Sequence, residues 1–368
     1  MPLRVVLFLK GVTMYGNTLI ARLSIATVLA WSSMTAYAQA PASAAPQAPD
    51  ATSAAPIALK MSHFLGPKSF FQVDLVEPWA RELERRSNGK VVVEVLNGSS
   101  PLGNVRNQGT QVKDGAVDIA LGLRGAEGDR FMRSSIVELP FVVSDARRGS
   151  QALWSLYKTG VIADEYRDFK VLALFVQNPG LVHTKQTRVV ELDDLKGLRL
   201  RVPNATVATA LESVGAVPKL LQPDEIMPAL RANQLDGIVT NWGTPIPGFN
   251  DEMKQHTAVP FYASAFFIVM NKARYEGLPA EIRDVIDSMS GDMLVAQFGP
   301  LWDKWDKPFF DGAHGPGQEI VRPDAATLQR WKSGLQPVSD AYVKRLQSQG
   351  FTDARAVYDG LIAASTAP

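Results

Sequence analysis

The chain has 368 residues, 46% of them hydrophobic, with 38 Lys and Arg against 37 Asp and Glu; this exceeds the roughly 250–300 residues at which one core stops growing, so two domains are expected. The even charge balance, without a basic run, argues against nucleic acid or an anionic membrane surface as partner. With no cysteine, disulfides, a thiol nucleophile and a thiolate metal site are excluded.

Met1 to Ala38 carries three bases (Arg4, Lys10, Arg22) and no acid, and its apolar stretch Leu23–Trp31 precedes Ala36-Tyr37-Ala38. Charged, apolar and small-residue regions in that order predict a secretory signal peptide, residues 1–38, cut after Ala38. The apolar stretch is shorter than the about 20 residues that cross a bilayer. Met14 to Ala38 alone makes a complete signal, so either Met1 or Met14 serves as the start. No Cys sits beside the cut, which excludes a lipid anchor there. Residues 39–56 are almost entirely Ala, Pro, Ser and Gln; they cannot bury enough apolar surface to offset ordering and are read as a disordered linker.

From Ile57 the chain alternates short β-like runs with amphipathic helices, the pattern of an α/β protein. A strand is predicted at 58–61, then a helix from Ser69 to about Ser87 with Phe71, Leu75, Trp79 and Leu83 on one face. Strands follow at 91–96 and 117–123 with a helix near 106–114 between them. Past Pro140-Phe141 come a helix at 145–157 and strands at 171–176, 198–202 and 217–220, with a helix at 205–214. Pro223 opens another helix, and Asp236-Gly237 leads into the next strand. Ala263–Met270 is the last long strand candidate. Beyond Pro279 the chain reads as mainly helical, with Ile282, Val285, Ile286, Met289 and Met293 as one stripe. This order implies two lobes with parallel-rich sheets: 57–177 with 263–300 returning to it, and 178–262 with 301–368 packing on and across it. Ligands of such folds sit in the crevice at the carboxyl ends of the strands.

Catalytic and metal signatures are missing. The four histidines (His63, His183, His256, His314) form no i, i+4 pair, and there is no phosphate-cradling glycine loop or nucleophile elbow. No catalytic residue, metal or cofactor is expected.

The most informative stretch is Glu191–Asn204, ELDDLKGLRLRVPN. Alternation places Leu198, Leu200 and Val202 on one face of a strand and Arg199 and Arg201 on the other. An arginine at the carboxyl end of a strand can hold both oxygens of a carboxylate in its planar fork. Spacing alone leaves Arg201 as either that donor or a surface residue.

Here the sequence resembles the DctP-type solute-binding proteins of tripartite ATP-independent periplasmic (TRAP) transporters. The resemblance covers nearly all the mature chain. It rests on Glu77–Lys90 (EPWARELERRSNGK), Pro101-Leu102-Gly103, Val112–Ile119 (VKDGAVDI), Leu139-Pro140-Phe141, Asp194–Pro203 (DLKGLRLRVP) and Ala229–Gly237 (ALRANQLDG). It implies a two-lobe, type II-like periplasmic binding protein with a ligand cleft between the lobes. It also implies capture of an organic acid for the membrane subunits of a TRAP permease, in the periplasm, by a protein that is not an enzyme and is expected to be a monomer. By the resemblance Arg201 is the arginine that grips the ligand carboxylate, and Asn204 a polar position beside it. Thr240, Asn241 and Trp242 line the ligand, with a core position as the alternative for Trp242. His63, Phe64 and Arg124 fall where the first lobe lines the cleft, and Phe141 is counted with the apolar lining. A second arginine that some members carry is replaced by the stretch Leu181-Val182-His183-Thr184, where His183 is either a substitute donor or a structural histidine. One arginine and Trp242 together point to a monocarboxylate with an apolar or aromatic body. A binding protein of an ATP-driven importer, a ligand-sensing module and an exported enzyme remain the alternatives.

Overall fold

The computed structural model describes residues 55–366 except 244, 245 and 247; the predicted signal peptide and nearly all of the linker lie outside the described residues. In chain order the strands are β1 (Ile57–His63), β2 (Val91–Leu96), β3 (Ile119–Leu123), β4 (Phe169–Val176), β5 (Gly180–Thr184), β6 (Arg199–Val202), β7 (Val217–Leu220), β8 (Gly237–Thr240), β9 (Gln255–Tyr262), β10 (Ala265–Asn271) and β11 (Glu319–Val321). They form one sheet of order β2-β1-β3-β10-β4 and a second of order β11-β9-β5-β8-β6-β7.

Both sheets are mixed rather than parallel-rich. In the first, β1 runs parallel to β2 and β3 while β10 is antiparallel to β3 and β4. In the second, β6 is parallel to β7 and β8, whereas β5 is antiparallel to β8 and β9. The reason lies in the connections. Residues 177–179 carry β4 straight into β5, and Ala263-Ser264 carry β9 straight into β10. A strand that leaves the junction between the sheets is antiparallel to those that end there. The two crossovers lie side by side, with the Gln177 N–H donating to the Ser264 carbonyl at 3.1 Å. The carboxyl ends of β1, β3, β6 and β8 consequently meet at one junction.

Each sheet has its own core. The first cluster gathers Leu59, Leu121, Leu172, Leu174 and Val269. The second sheet is covered on one face by Val182, Leu200, Val202 and Val239, and on the other by Leu181, Ile226, Leu230 and Ile238. β4, FKVLALFV, is buried along nearly its whole length, as a near-continuous apolar run requires.

Several local departures from expectation have clear causes. The predicted helix 69–87 begins with a π-turn at Phe71–Val76 before the α-helix Glu77–Arg86. A four-residue apolar spacing drifts around a 3.6-residue helix, and one wide turn brings Phe71, Leu75, Trp79 and Leu83 back into line, all buried. The stripe through Ile282 and Met289 does not reach Met293, which is 43% exposed. Gly291, at φ +64°, ends that run before the chain turns again. β5, β9 and β11 were not anticipated. β9 contains Pro260, which lacks an N–H, but β11 pairs only with 255–257, so Pro260 faces no ladder on that side.

Candidate functional site

The two arginines of β6 have different fates. Arg199 forks onto Asp236, with Nε to Oδ2 at 3.0 Å and a terminal nitrogen to Oδ1 at 2.7 Å, in a half-exposed pair. Arg201 is 5% exposed. Its Nε donates to the Leu221 carbonyl at 3.1 Å, and no Asp or Glu pairs with it among the described residues. Burial pulls its pKa down to about 10, and Tyr262 opposes that pull. A buried cation without a counter-charge is expensive unless something anionic joins it.

Tyr262, at the end of β9, is itself buried, and burial pushes its hydroxyl up to about 12 against the pull of Arg201. Its hydroxyl donates to the Val239 carbonyl at 3.4 Å and accepts from the Gln177 amide at 3.5 Å. Gly180 makes room for the ring, since a Cβ there would collide with it. Sequence reasoning missed Tyr262 because β9 was not read as a strand. The aromatic pair Phe261-Tyr262 just before the Ala263 strand candidate was the available signal.

The segment leaving β8 holds Thr240, Asn241 and Trp242, all buried. The Asn241 amide nitrogen donates to Asp306 at 2.9 Å. Asp306 also accepts from the Asn178 amide at 2.9 Å and from the Gly243 backbone N–H. Burial raises Asp306 to about 6. It lies on the helix Phe298–Gly312 and carried no signal in the sequence, where it was one of many helix carboxylates. Trp242 packs into the second sheet's outer core, its ring 4.8 Å from that of His183 and 5.6 Å from that of Phe310.

His183 is fully buried and both ring nitrogens are engaged, Nδ1 with His256 Nδ1 at 2.9 Å and Nε2 with the Thr240 carbonyl at 3.1 Å. Burial, reinforced by His256, holds it well below the usual histidine range, so it is neutral. These partners suit a structural histidine.

Asn204 caps the helix Ala205–Ser213, its Oδ1 accepting the Val207 N–H at 2.9 Å, and its amide reaches Glu138 at 3.4 Å. It therefore joins the two halves of the junction. Gly125 opposite has no space for a Cβ, which would stand 2.8 Å from the Asn204 Cβ. Arg124 is the counter-example to Arg201: equally buried, it is paired with Glu138 and also donates to the Phe131 carbonyl. Its charge is met within the fold. Glu138, which also accepts the Ala265 N–H at 2.9 Å, is a second residue the sequence did not point to.

The remaining expected residues lie around this centre. His63 is buried at the end of β1, bonded to Gln72 and to the Leu65 N–H, and burial lowers its pKa. Phe64 lines an open groove of about 840 Å³ that it shares with Gln222, Pro223 and Asp224, at the start of the helix Pro223–Arg231 that follows β7. Phe141 adopts φ +62°, a strained conformation for a bulky residue. It lines a different cavity, of about 330 Å³, with Lys332, Leu335 and Tyr358. Among the described residues no group of His, Cys, Asp or Glu could hold a metal.

A family model described as bacterial extracellular solute-binding protein, family 7 (DctP) matches residues 61–345. A TRAP solute-binding protein from Rhodoferax ferrireducens T118, solved with copurified benzoate, is 30% identical, with a TM-score of 0.78 over 84% of this chain and 97% of its own. A marine metagenome TRAP solute-binding protein specific for aromatic acids, solved with metahydroxyphenylacetate, is 29% identical, with a TM-score of 0.79 over 84% of this chain and 100% of its own. The outer membrane transporter protein TsaT of Comamonas testosteroni is 27% identical over 81% of this chain and 89% of its own length.

Proposed function

The chain belongs to the bacterial extracellular solute-binding protein family 7, and from that premise we propose that it captures a monocarboxylate with an aromatic or apolar body and passes it to a TRAP permease. Its fold is the two-lobed α/β architecture of the TRAP solute-binding proteins. It works as a monomeric binding protein rather than an enzyme, exported to the periplasm by its leader, residues 1–38.

The observation that carries this reading is Arg201, a charged group buried at the junction of the sheets with no acid paired to it among the described residues. A ligand carboxylate supplies what it lacks. A hydrogen bond to a charged group contributes about 1.5–3 kcal/mol, while micromolar affinity takes about 8 kcal/mol. The balance comes from burying the ring of the acid and from polar groups that orient it, among them Tyr262, Thr240, Asn241 and Asn204. The aromatic acids bound by the two structural neighbours support this ligand class.

Arg201→Ala tests the reading. Calorimetry with benzoate and 3-hydroxyphenylacetate is expected to give binding to the wild type and none to the variant. The apo melting temperature should not fall, because the change removes an uncompensated buried charge. Undiminished affinity in the variant would falsify the assignment.

A further inference from the structure

Asp306 is a buried carboxylate that accepts hydrogen bonds from three donors and pairs with no Lys, Arg or His among the described residues. One donor, Asn178, stands in the β4–β5 crossover, and the other two, Asn241 and Gly243, in the segment leaving β8. The approach is built into the backbone. A Cβ on Gly243 would meet Asp306 Oδ1 and come within 3.0 Å of the Trp305 carbonyl carbon. Only glycine there lets the helix Phe298–Gly312 come so close. Nearby Asp303 adds repulsion rather than relief. Holding an uncompensated carboxylate in this place costs stability, so packing does not account for it.

What Asp306 does is orient an amide. A carboxamide donates from its nitrogen and accepts at its oxygen, and the two ends have nearly the same shape. By accepting from Asn241 Nδ2, Asp306 decides which way round that side chain sits at the end of β8. By accepting the Gly243 N–H, it also pins the backbone two residues on.

Resting on the acid capture proposed above, we propose that Asp306 is a positioning residue for the ligand: it acts on the bound acid through Asn241 and the Asn241–Gly243 backbone without touching the acid itself. An asparagine at 306 keeps the shape but carries no charge: its one oxygen can still face Asn241 and Gly243, so both bonds to the β8 segment lose their charge assistance, and its amide nitrogen meets the Asn178 donor. Asn178→Ala separates the two roles, because it removes the crossover contact and leaves the Asn241 contact in place.

The experiment is calorimetry with benzoate on the wild type, Asp306→Asn, Asn178→Ala and Arg201→Ala. Asp306→Asn is expected to weaken binding about tenfold, the size of two charge-assisted hydrogen bonds reduced to neutral ones. Asn178→Ala is expected to stay within about threefold of the wild type, a difference of well under one such bond. An Asp306→Asn affinity within that same margin overturns the proposal, and so does an equal loss in Asn178→Ala, which would make Asp306 a general brace. If Asp306→Asn does not fold, the wild type answers by NMR. The side-chain amide of Asn241 should shift both as Asp306 titrates and on saturation with benzoate, and a response to only one of these overturns the idea. A wild type that binds none of the aromatic acids brings down the capture itself and this inference with it. Loss in Arg201→Ala beside full affinity in Asp306→Asn brings down this inference alone.

Discussion

Arg124 and Arg201 sit at the carboxyl ends of β3 and β6, both buried, and their neighbours separate them. Arg124 meets Glu138, so removing either partner strands the other. Arg201 meets the Leu221 carbonyl and the influence of the Tyr262 phenol, with no acid paired to it among the described residues, the charge that the proposed acid would meet. Nothing in the local sequence distinguishes the two, because a counter-charge supplied from 14 residues away along a chain of short 3₁₀ turns leaves no periodic trace. Asp306 gives a prediction at the same scale. Burial lifts its pKa from 3.8 to about 6, so the folded state holds the proton more tightly than the unfolded chain. Its contribution to stability is therefore fully present below pH 3.8 and lost as pH rises through about 6. Asparagine does not titrate. The melting temperature of the wild type minus that of Asp306→Asn is expected to be larger at pH 5 than at pH 7.5, as thermal melts at the two values would register. A constant difference would show that Asp306 keeps an ordinary carboxylate pKa.

Among the elements, β6 was legible because strict alternation of Leu and Arg with Pro203 behind it has few readings, and the strand runs from Arg199 to Val202. β4 was legible as an unbroken apolar run. β5 and β9 were not, since Gly180 and Pro260 are residues that weaken strands, and each is tolerated for a reason found only across the sheet. Gly180 gives space to the Tyr262 ring, and Pro260 lies beyond the reach of β11. Gly180→Ala thus forces the ring aside at the edge of the site. Overpacking of this kind costs about 1–3 kcal/mol, which chemical unfolding would measure, and displacement of Tyr262 should weaken benzoate binding in parallel. Unchanged stability in this variant would mean that the ring moves freely and does not hold the site in shape.

For the whole molecule, the decisive feature is that the C-terminal helices do not stay with one sheet. The helix Phe298–Gly312 buries Trp302 and Trp305 in the first core while Phe309 packs on the second sheet's outer core. The helix Ala325–Ser348 places Trp331 and Leu335 in the second core and Val343 and Leu346 in the first. Two cores stitched in this way should unfold together, and calorimetry is expected to show one transition with matching calorimetric and van't Hoff enthalpies. Two resolved transitions would mean that the helices can leave one core while the other stands. The amino-acid sequence by itself determined the α/β class, the strand that carries Arg201 and the order of family motifs, because hydrophobic period and turn residues are local. Only the tertiary structure decided that, among the described residues, Arg201 lacks a counter-charge while Arg124 has one. It alone placed His183 against His256 and brought Asp306 to Asn241. Pairings between distant segments depend on which strand ends meet, and no local period records them.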